Sequence, residues 1–221
     1  MLLKFPMKNQ VAEFLGTFAL VFCGTGAIII DQHTHGAITH AGVAMTFGLV
    51  VLVMIYALGN VSGAHFNPAV TFAFTLAGRF DVKQVVPYIL SQTAGALSAS
   101  LLLSFLFPVS EFLGATIPSG STWQSFILEF ILTFFLMLVI LNVATGSREQ
   151  GLFAGIAIGA TVLLEAMFAG PVSGASMNPV RSLAPALISG HTQQLWVYLF
   201  STTFGAAAAV PVWKFLNKNT A

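Results

Sequence analysis

Apolar residues fill this chain in long runs separated by short polar joints. A helix that crosses a bilayer needs about 20 mostly apolar residues. Six segments reach that length, at approximately 11–31, 40–59, 84–107, 123–143, 151–169 and 194–215. Two more apolar runs, 67–78 and 178–189, are half as long. Each of these opens on Asn-Pro and lies just after a Ser-Gly-Ala. Between Gln32 and Gly78 there is no Lys, Arg, Asp or Glu. That stretch is too long for one helix and too short for two with an ordinary loop. One span plus one half-span fits it. The pattern predicts an all-α integral membrane protein of six transmembrane helices and two re-entrant half-helices.

The runs also repeat. Ala-Glu-Phe-Leu-Gly-Thr-Phe at 12–18 matches Leu-Glu-Phe-Ile-Leu-Thr-Phe at 128–134, and Ser-Gly-Ala-His-Phe-Asn-Pro-Ala at 62–69 matches Ser-Gly-Ala-Ser-Met-Asn-Pro-Val at 173–180. Each half, 1–110 and 111–221, contains a Glu-bearing span, a second span, a half-helix and a third span. Three spans is an odd number, so the second half enters the membrane from the opposite face. Inverted repeats of this kind set their broken helices at the repeat interface, near the midplane.

A lone Asn-Pro is an ordinary turn or helix start. Two copies at equivalent places of a repeat say more. Pro at the first helical position loses no hydrogen bond, and the Asn before it caps the helix. With inverted halves the two N-termini face each other, and both positive dipole ends point at the midplane. The Asn67 and Asn178 amides can then donate to a passing solute. The extended backbone before each Asn-Pro is tolerated at membrane depth only where protein or a water-filled cavity surrounds it. The field at such a centre opposes cations, protons included.

Composition agrees with a bilayer. Hydrophobic residues make up 57% of the 221 and charged residues only 7%, against roughly 25% charged in soluble domains. The net charge of +1 says nothing about nucleic acid, but there is no basic cluster to grip phosphates, and no nucleic-acid partner is expected. The single Cys23 cannot form an intrachain disulfide. The apolar stretch behind Lys4 and Lys8 is longer than a signal-peptide core, carries Glu13, and is read as a retained first span. Cations set the orientation. With the N-terminus in the cytoplasm, Lys4, Lys8, Arg79, Lys83, Arg148, Lys214 and Lys218 all fall on that side, as does the C-terminus. The eighth cation, Arg181, lies inside the second half-helix.

His-Phe-Asn-Pro-Ala-Val at 65–70 and Ser-Met-Asn-Pro-Val-Arg-Ser at 176–182 resemble the aquaporins, the major intrinsic proteins. The resemblance runs from Glu13 to about Trp213. Gly-Val-Ala-Met-Thr-Phe-Gly at 42–48 and Ala-Gly-Pro-Val-Ser-Gly-Ala-Ser-Met-Asn-Pro at 169–179 look most like the nodulin-type branch. This resemblance implies a homotetramer in a plasma or inner membrane with one pore per subunit. The solutes it implies are glycerol, urea and neutral metalloid acids such as arsenous and boric acid. Val180 stands where the usual third residue of the motif is Ala. It alters packing behind Asn178 and is expected to leave the pore open.

By the same resemblance an outer selectivity ring falls on Phe47, Ala166, Ala175 and Arg181. Arg181 has support of its own, since an intramembrane charge is costly and by default functional. Strict water channels of the family have His where this chain has Ala166. Two alanines predict a ring wider than water needs, with one cation and one apolar wall.

Glu13 and Glu129 occupy equivalent places. A proton relay is one reading; acceptance of hydrogen bonds from the re-entrant backbone is the blander and preferred one. His65 is expected to line the cytoplasmic vestibule, as a pH gate or, preferably, as a fixed hydrogen-bonding group. Glu165 has no evident partner; it faces a neighbouring helix or tunes the outer vestibule. His33, His35 and His40 read as a solvated loop rather than a metal site. Gly95, Ala96, Ala99, Gly155, Gly159 and Gly205 read as close helix packing. No metal, cofactor or catalytic constellation is expected, and an enzyme is excluded. The main alternative is a strict water channel. A secondary transporter is disfavoured because no Asp stands near the Asn pair. A closed junction protein, plugged by a loop such as 108–122, is disfavoured by the two alanines.

Overall fold

The computed structural model describes residues 7–145 and 152–218. Lys4 and Arg148 lie outside the described residues. Eight helices are described: α1 (Lys8–His33), α2 (Thr39–Ser62), α3 (Pro68–Leu76), α4 (Val82–Leu106), α5 (Thr122–Thr145), α6 (Ala154–Ser173), α7 (Pro179–Ser189) and α8 (Leu195–Leu216). All but α3 and α7 are long and apolar enough to cross a membrane. The order long, long, short, long therefore occurs twice. The described residues contain no strand.

The surface is that of a protein dissolved in lipid. Phe105 is 79% exposed and Leu164 65%, whereas Glu13, Glu129, Gln92 and Thr17 are fully buried. Polar groups at bilayer depth must find partners inside the protein. Helix α1 packs on α4, α5 on α8, and α2 on α6. Glycine makes each contact close. A Cβ on Gly95 would fall 2.3 Å from the Phe14 carbonyl oxygen, and one on Gly205 would fall 2.3 Å from that of Phe130. Gly48 and Gly159 press on each other's backbones in the same way. Lipid gives no hydrophobic drive between helices, so backbone proximity and dispersion hold them together.

The two short helices start inside the bundle and leave by opposite ends. Helix α3 stops at Gly78 (φ +73), beside a cluster of cationic residues. There Lys214 Nζ donates to the Leu76 carbonyl at 3.1 Å, and the Arg79 guanidinium sits 5.6 Å from the Trp213 ring centroid. Helix α7 stops at Gly190 (φ +82), where His191 meets Phe112 at 4.5 Å. At that end Asp31 accepts the backbone N–H groups of Ile38 (3.0 Å) and Thr39 (2.7 Å). His40 Nε2 pairs with the Met167 carbonyl at 2.8 Å.

Several helices run beyond the apolar segments that predicted them. Helix α2 continues past Gly59-Asn60 to Ser62, and α6 continues past Gly170-Pro171 to Ser173. Both then stop at a left-handed glycine, Gly63 or Gly174. Pro171 lies in the last turn of α6. Tertiary packing of these ends outweighs the local breaker signal.

Candidate functional site

Two irregular segments, 63–67 and 174–178, lead into the short helices. Their backbones match. Gly63, Ala64 and Phe66 have φ of +86, +51 and +50, and Gly174, Ala175 and Met177 have +85, +42 and +53. Each left-handed non-glycine residue costs about 1–2 kcal/mol. Such a backbone persists only when its surroundings over-determine it.

A buried carboxylate does this in each half. Glu13 accepts hydrogen bonds from Ser62 Oγ (2.7 Å), the His65 N–H (2.9 Å), the Phe66 N–H (2.7 Å) and Gln92 Nε2 (2.8 Å). Glu129 accepts from Ser173 Oγ (2.7 Å), the Ser176 N–H (2.8 Å) and the Met177 N–H (2.9 Å). A tyrosine closes each segment from behind. Tyr88 Oη donates to the Ser62 carbonyl and Tyr198 Oη to that of Ser173, both at 2.8 Å.

The two asparagines meet at the centre. Asn67 Oδ1 accepts from the Ala69 N–H at 2.9 Å. Asn178 Oδ1 accepts from the N–H groups of Val180 (3.1 Å) and Arg181 (3.4 Å). Each side chain also reaches the other half. Asn67 Nδ2 donates to the Met177 carbonyl at 2.7 Å, and Asn178 Nδ2 donates to that of Phe66 at 2.9 Å. A side-chain amide has two N–H groups, so each Asn keeps one after these bonds. Both asparagines border the central cavity.

Around this matched frame the halves differ. His65 packs between Phe74 and Phe80 at 4.8 Å from each, near Tyr88 at 5.3 Å, and its Nδ1 pairs with Thr71 Oγ1 at 3.0 Å. Ser176 stands at the equivalent place. Its Oγ lies 2.6 Å from Ser182 Oγ, which accepts from Thr116 Oγ1 at 2.7 Å.

Arg181 is 1% exposed. One of its terminal nitrogens donates to the Gly114 carbonyl at 2.9 Å. The guanidinium lies 5.0 Å from the Phe47 ring centroid, a cation–π geometry. Its Nε has no partner.

A cavity of about 650 Å³ threads these groups together. It runs from Tyr56, Asn60, Arg79 and Leu152 past His65, Asn67 and Asn178 to Phe47, Ala175 and Arg181. Helix α6 contributes Ala154, Gly155, Ile158 and Val162 to its wall. Three of the four expected ring positions therefore share one cavity. Ala166, one turn past Val162, is buried at 7% exposure and is not among the residues that line this cavity. Among the described residues no group of three or more His, Cys, Asp or Glu is placed to hold a metal.

Sequence reasoning missed Tyr88, Tyr198, Gln92, Thr116 and the Gly114 carbonyl. For the tyrosines a signal existed: Tyr88 precedes Gly95 by seven residues, and Tyr198 precedes Gly205 by seven. The others carry no such mark. The carbonyls of Phe66 and Met177 are taken by the opposing asparagines.

The chain resembles known proteins along most of its length. Residues 3–213 match the family described as major intrinsic protein. Aquaporin NIP1-1 of Oryza sativa subsp. japonica is 50% identical over 216 residues, which cover 96% of this chain and 76% of the relative. Nodulin-26 of Glycine max is 45% identical over 213 residues, covering 96% and 78%. Among solved structures, the aquaglyceroporin from Plasmodium falciparum superposes with a TM-score of 0.83 at 26% identity, covering 94% of this chain and 95% of that one. Two carboxylate-braced loops, two opposed Asn-capped helices and a buried arginine at one end of a shared cavity thus belong to a chain of the major intrinsic protein family, the aquaporins, on its nodulin-type branch.

Proposed function

We propose that this membrane channel passes glycerol, urea and neutral hydroxylated metalloid acids such as boric and arsenous acid, along with water. The observation that carries this reading is the pairing of Arg181 with Phe47 where the cavity also meets the small Ala175. An arginine offers several N–H donors to hydroxyl or carbonyl oxygens. The phenyl face meets the carbon side of a polyol. The name of the Plasmodium falciparum neighbour, an aquaglyceroporin, agrees with such cargo.

Each proposed role follows from a contact. Asn67 and Asn178 hand a solute across the centre with their spare N–H groups. Both helix N-termini add positive potential there, which repels cations and breaks proton transfer. Glu13 and Glu129 are scaffolds: their oxygens are taken by loop N–H groups, which leaves no free carboxylate at the centre to couple an ion gradient. That argues against a secondary transporter. His65, wedged among aromatics and bonded to Thr71, acts as a fixed wall of the vestibule. The halves 1–110 and 111–221 act as inverted repeats around one pore. The cation-rich end lies in the cytoplasm of a plasma or inner membrane, and four copies assemble with one pore each.

Light scattering by stopped flow on proteoliposomes tests the solute class, with gradients of glycerol, urea, boric acid and an impermeant sugar. The protein is expected to pass the first three well above protein-free vesicles. Ala166→His is expected to abolish glycerol flux and keep water flux. One observation favours the strict water channel instead: from this part of α6 it is Val162, and not Ala166, that lines the cavity. Water flux without solute flux in the unmodified protein would establish that second reading.

A further inference from the structure

The two halves brace their half-helices from different places. In the first half the donor comes from a long helix. Gln92 Nε2, on α4, donates to Thr71 Oγ1 at 3.0 Å. Gln92 lies four residues past Tyr88, and four residues past Tyr198 on α8 stands Thr202 instead. The Thr202 hydroxyl is spent on the Tyr198 carbonyl of its own helix. Ser182 holds the place of Thr71, four residues past the asparagine. Its donor comes from a loop: Thr116, buried at 6% exposure, donates from Oγ1 to Ser182 Oγ at 2.7 Å.

That bond begins a chain with one direction. A hydroxyl carries one proton. Ser176 Oγ spends its proton on the Asn178 carbonyl at 2.9 Å, so in the 2.6 Å contact between Ser182 and Ser176 it is Ser182 that donates. Thr116 thus feeds Ser182, Ser182 feeds Ser176, and Ser176 holds the backbone of Asn178. The same loop holds Arg181. Two residues before Thr116, the Gly114 carbonyl accepts from the guanidinium at 2.9 Å. Among the described residues this is the one hydrogen bond that the guanidinium makes, and its buried Nε has none. The loop is tightly seated. A Cβ on Gly114 would fall 2.8 Å from the Thr25 side chain, and one on Gly174 would fall 2.9 Å from that of Thr116. Thr116 is therefore wedged between Gly174 and Ser182.

We propose that Thr116 is a positioning residue for the solute path, fixing Arg181 through the Gly114 carbonyl and Asn178 through the two serines. It touches no solute itself. Its bond to Ser182 pins the loop, and the pinned loop presents the Gly114 carbonyl to one guanidinium nitrogen. The guanidinium is thereby kept over the Phe47 face at the cavity wall. Without that bond the carbonyl drifts, and the arginine loses the geometry in which it meets a solute oxygen. This role rests on the solute-channel reading above.

The test compares Thr116→Val, Thr116→Ser, Ser182→Ala and the double variant of Thr116→Val with Ser182→Ala in proteoliposomes, measuring glycerol permeability as a ratio to water permeability. The ratio does not depend on how much folded channel is present. Thr116→Val keeps the shape and removes the hydroxyl, and should lower the ratio about tenfold, the worth of one hydrogen bond. Thr116→Ser still donates and should stay within about threefold of the parent. Ser182→Ala removes the acceptor and should match Thr116→Val. The double variant should lose no more than either single one, because both break the same bond. A residue that only holds the fold predicts a lower melting temperature in detergent with the ratio unchanged. That result, or a Ser variant as impaired as the Val one, overturns the role of Thr116 and leaves the solute channel standing. If Thr116→Val is not recovered as folded protein, Ser182→Ala decides on the same ratio. A parent protein that conducts water alone overturns both.

Discussion

At the scale of single residues, contacts a few ångströms long set the size of the conduit. Gly24 shows this best. A Cβ there would fall 2.1 Å from the Phe47 ring, and Phe47 already backs onto Arg181. Gly24→Ala must push the ring toward the solute path. Overpacking of this kind costs about 1–3 kcal/mol. If the displaced ring adds about 1.4 kcal/mol to the barrier, glycerol slows about tenfold. Stopped-flow flux should show glycerol falling further than water, and equal losses for both would mean that Phe47 yields elsewhere. Glu129 offers a different residue-scale experiment. Glu129→Ala strands the Ser176 and Met177 N–H groups and the Ser173 hydroxyl, each at about 1–3 kcal/mol. Little folded protein is expected. Glu129→Gln keeps one acceptor oxygen and should retain more, as read by thermal melting in detergent.

At the scale of elements, the half-helices depend on long helices that never touch the solute. Tyr198 on α8 bonds the carbonyl of Ser173 at the end of α6. Tyr198→Phe leaves that carbonyl without its partner and should lower stability by about 1–2 kcal/mol while sparing conduction per folded channel. Close helix contact supplies the second prediction. Gly205→Ala sets a methyl against the Phe130 backbone oxygen, which cannot give way. The Gly26 position meets only a Leu103 side-chain carbon, at 3.4 Å. Gly26→Ala should be tolerated within about 0.5 kcal/mol, whereas Gly205→Ala should separate α5 from α8 and lower the melting temperature clearly. Similar melting temperatures for the two would show that α8 slides without cost.

At the scale of the whole molecule, the two halves aim two positive helix ends at one point. Neutral solutes tolerate that field and cations do not. Asn178→Asp places a negative charge at this point and replaces the N–H donor to the Phe66 carbonyl with an acceptor. Proton or cation leak should rise, followed with a pH-sensitive dye trapped in liposomes. A tight variant would mean that the exclusion resides wholly at Arg181.

The sequence by itself determined what is local. Long apolar runs required six spans, Asn-Pro after Ser-Gly-Ala required capped half-helices, and the doubled motifs required two comparable halves. Arg181 and Glu165 stood out because charge is rare at membrane depth. Tertiary structure decided what depends on residues far apart. Asn67 reaches Met177 and Asn178 reaches Phe66. Glu13 gathers donors from α2, its loop and α4. Val162 lines the cavity from α6 and Ala166 does not. Periodicity reports which face of a helix is apolar; it holds no record of which distant carbonyl or ring will lie opposite. Those pairings arise only when the bundle closes, because burial leaves each polar group no water and forces it onto whatever partner the packing brings within reach.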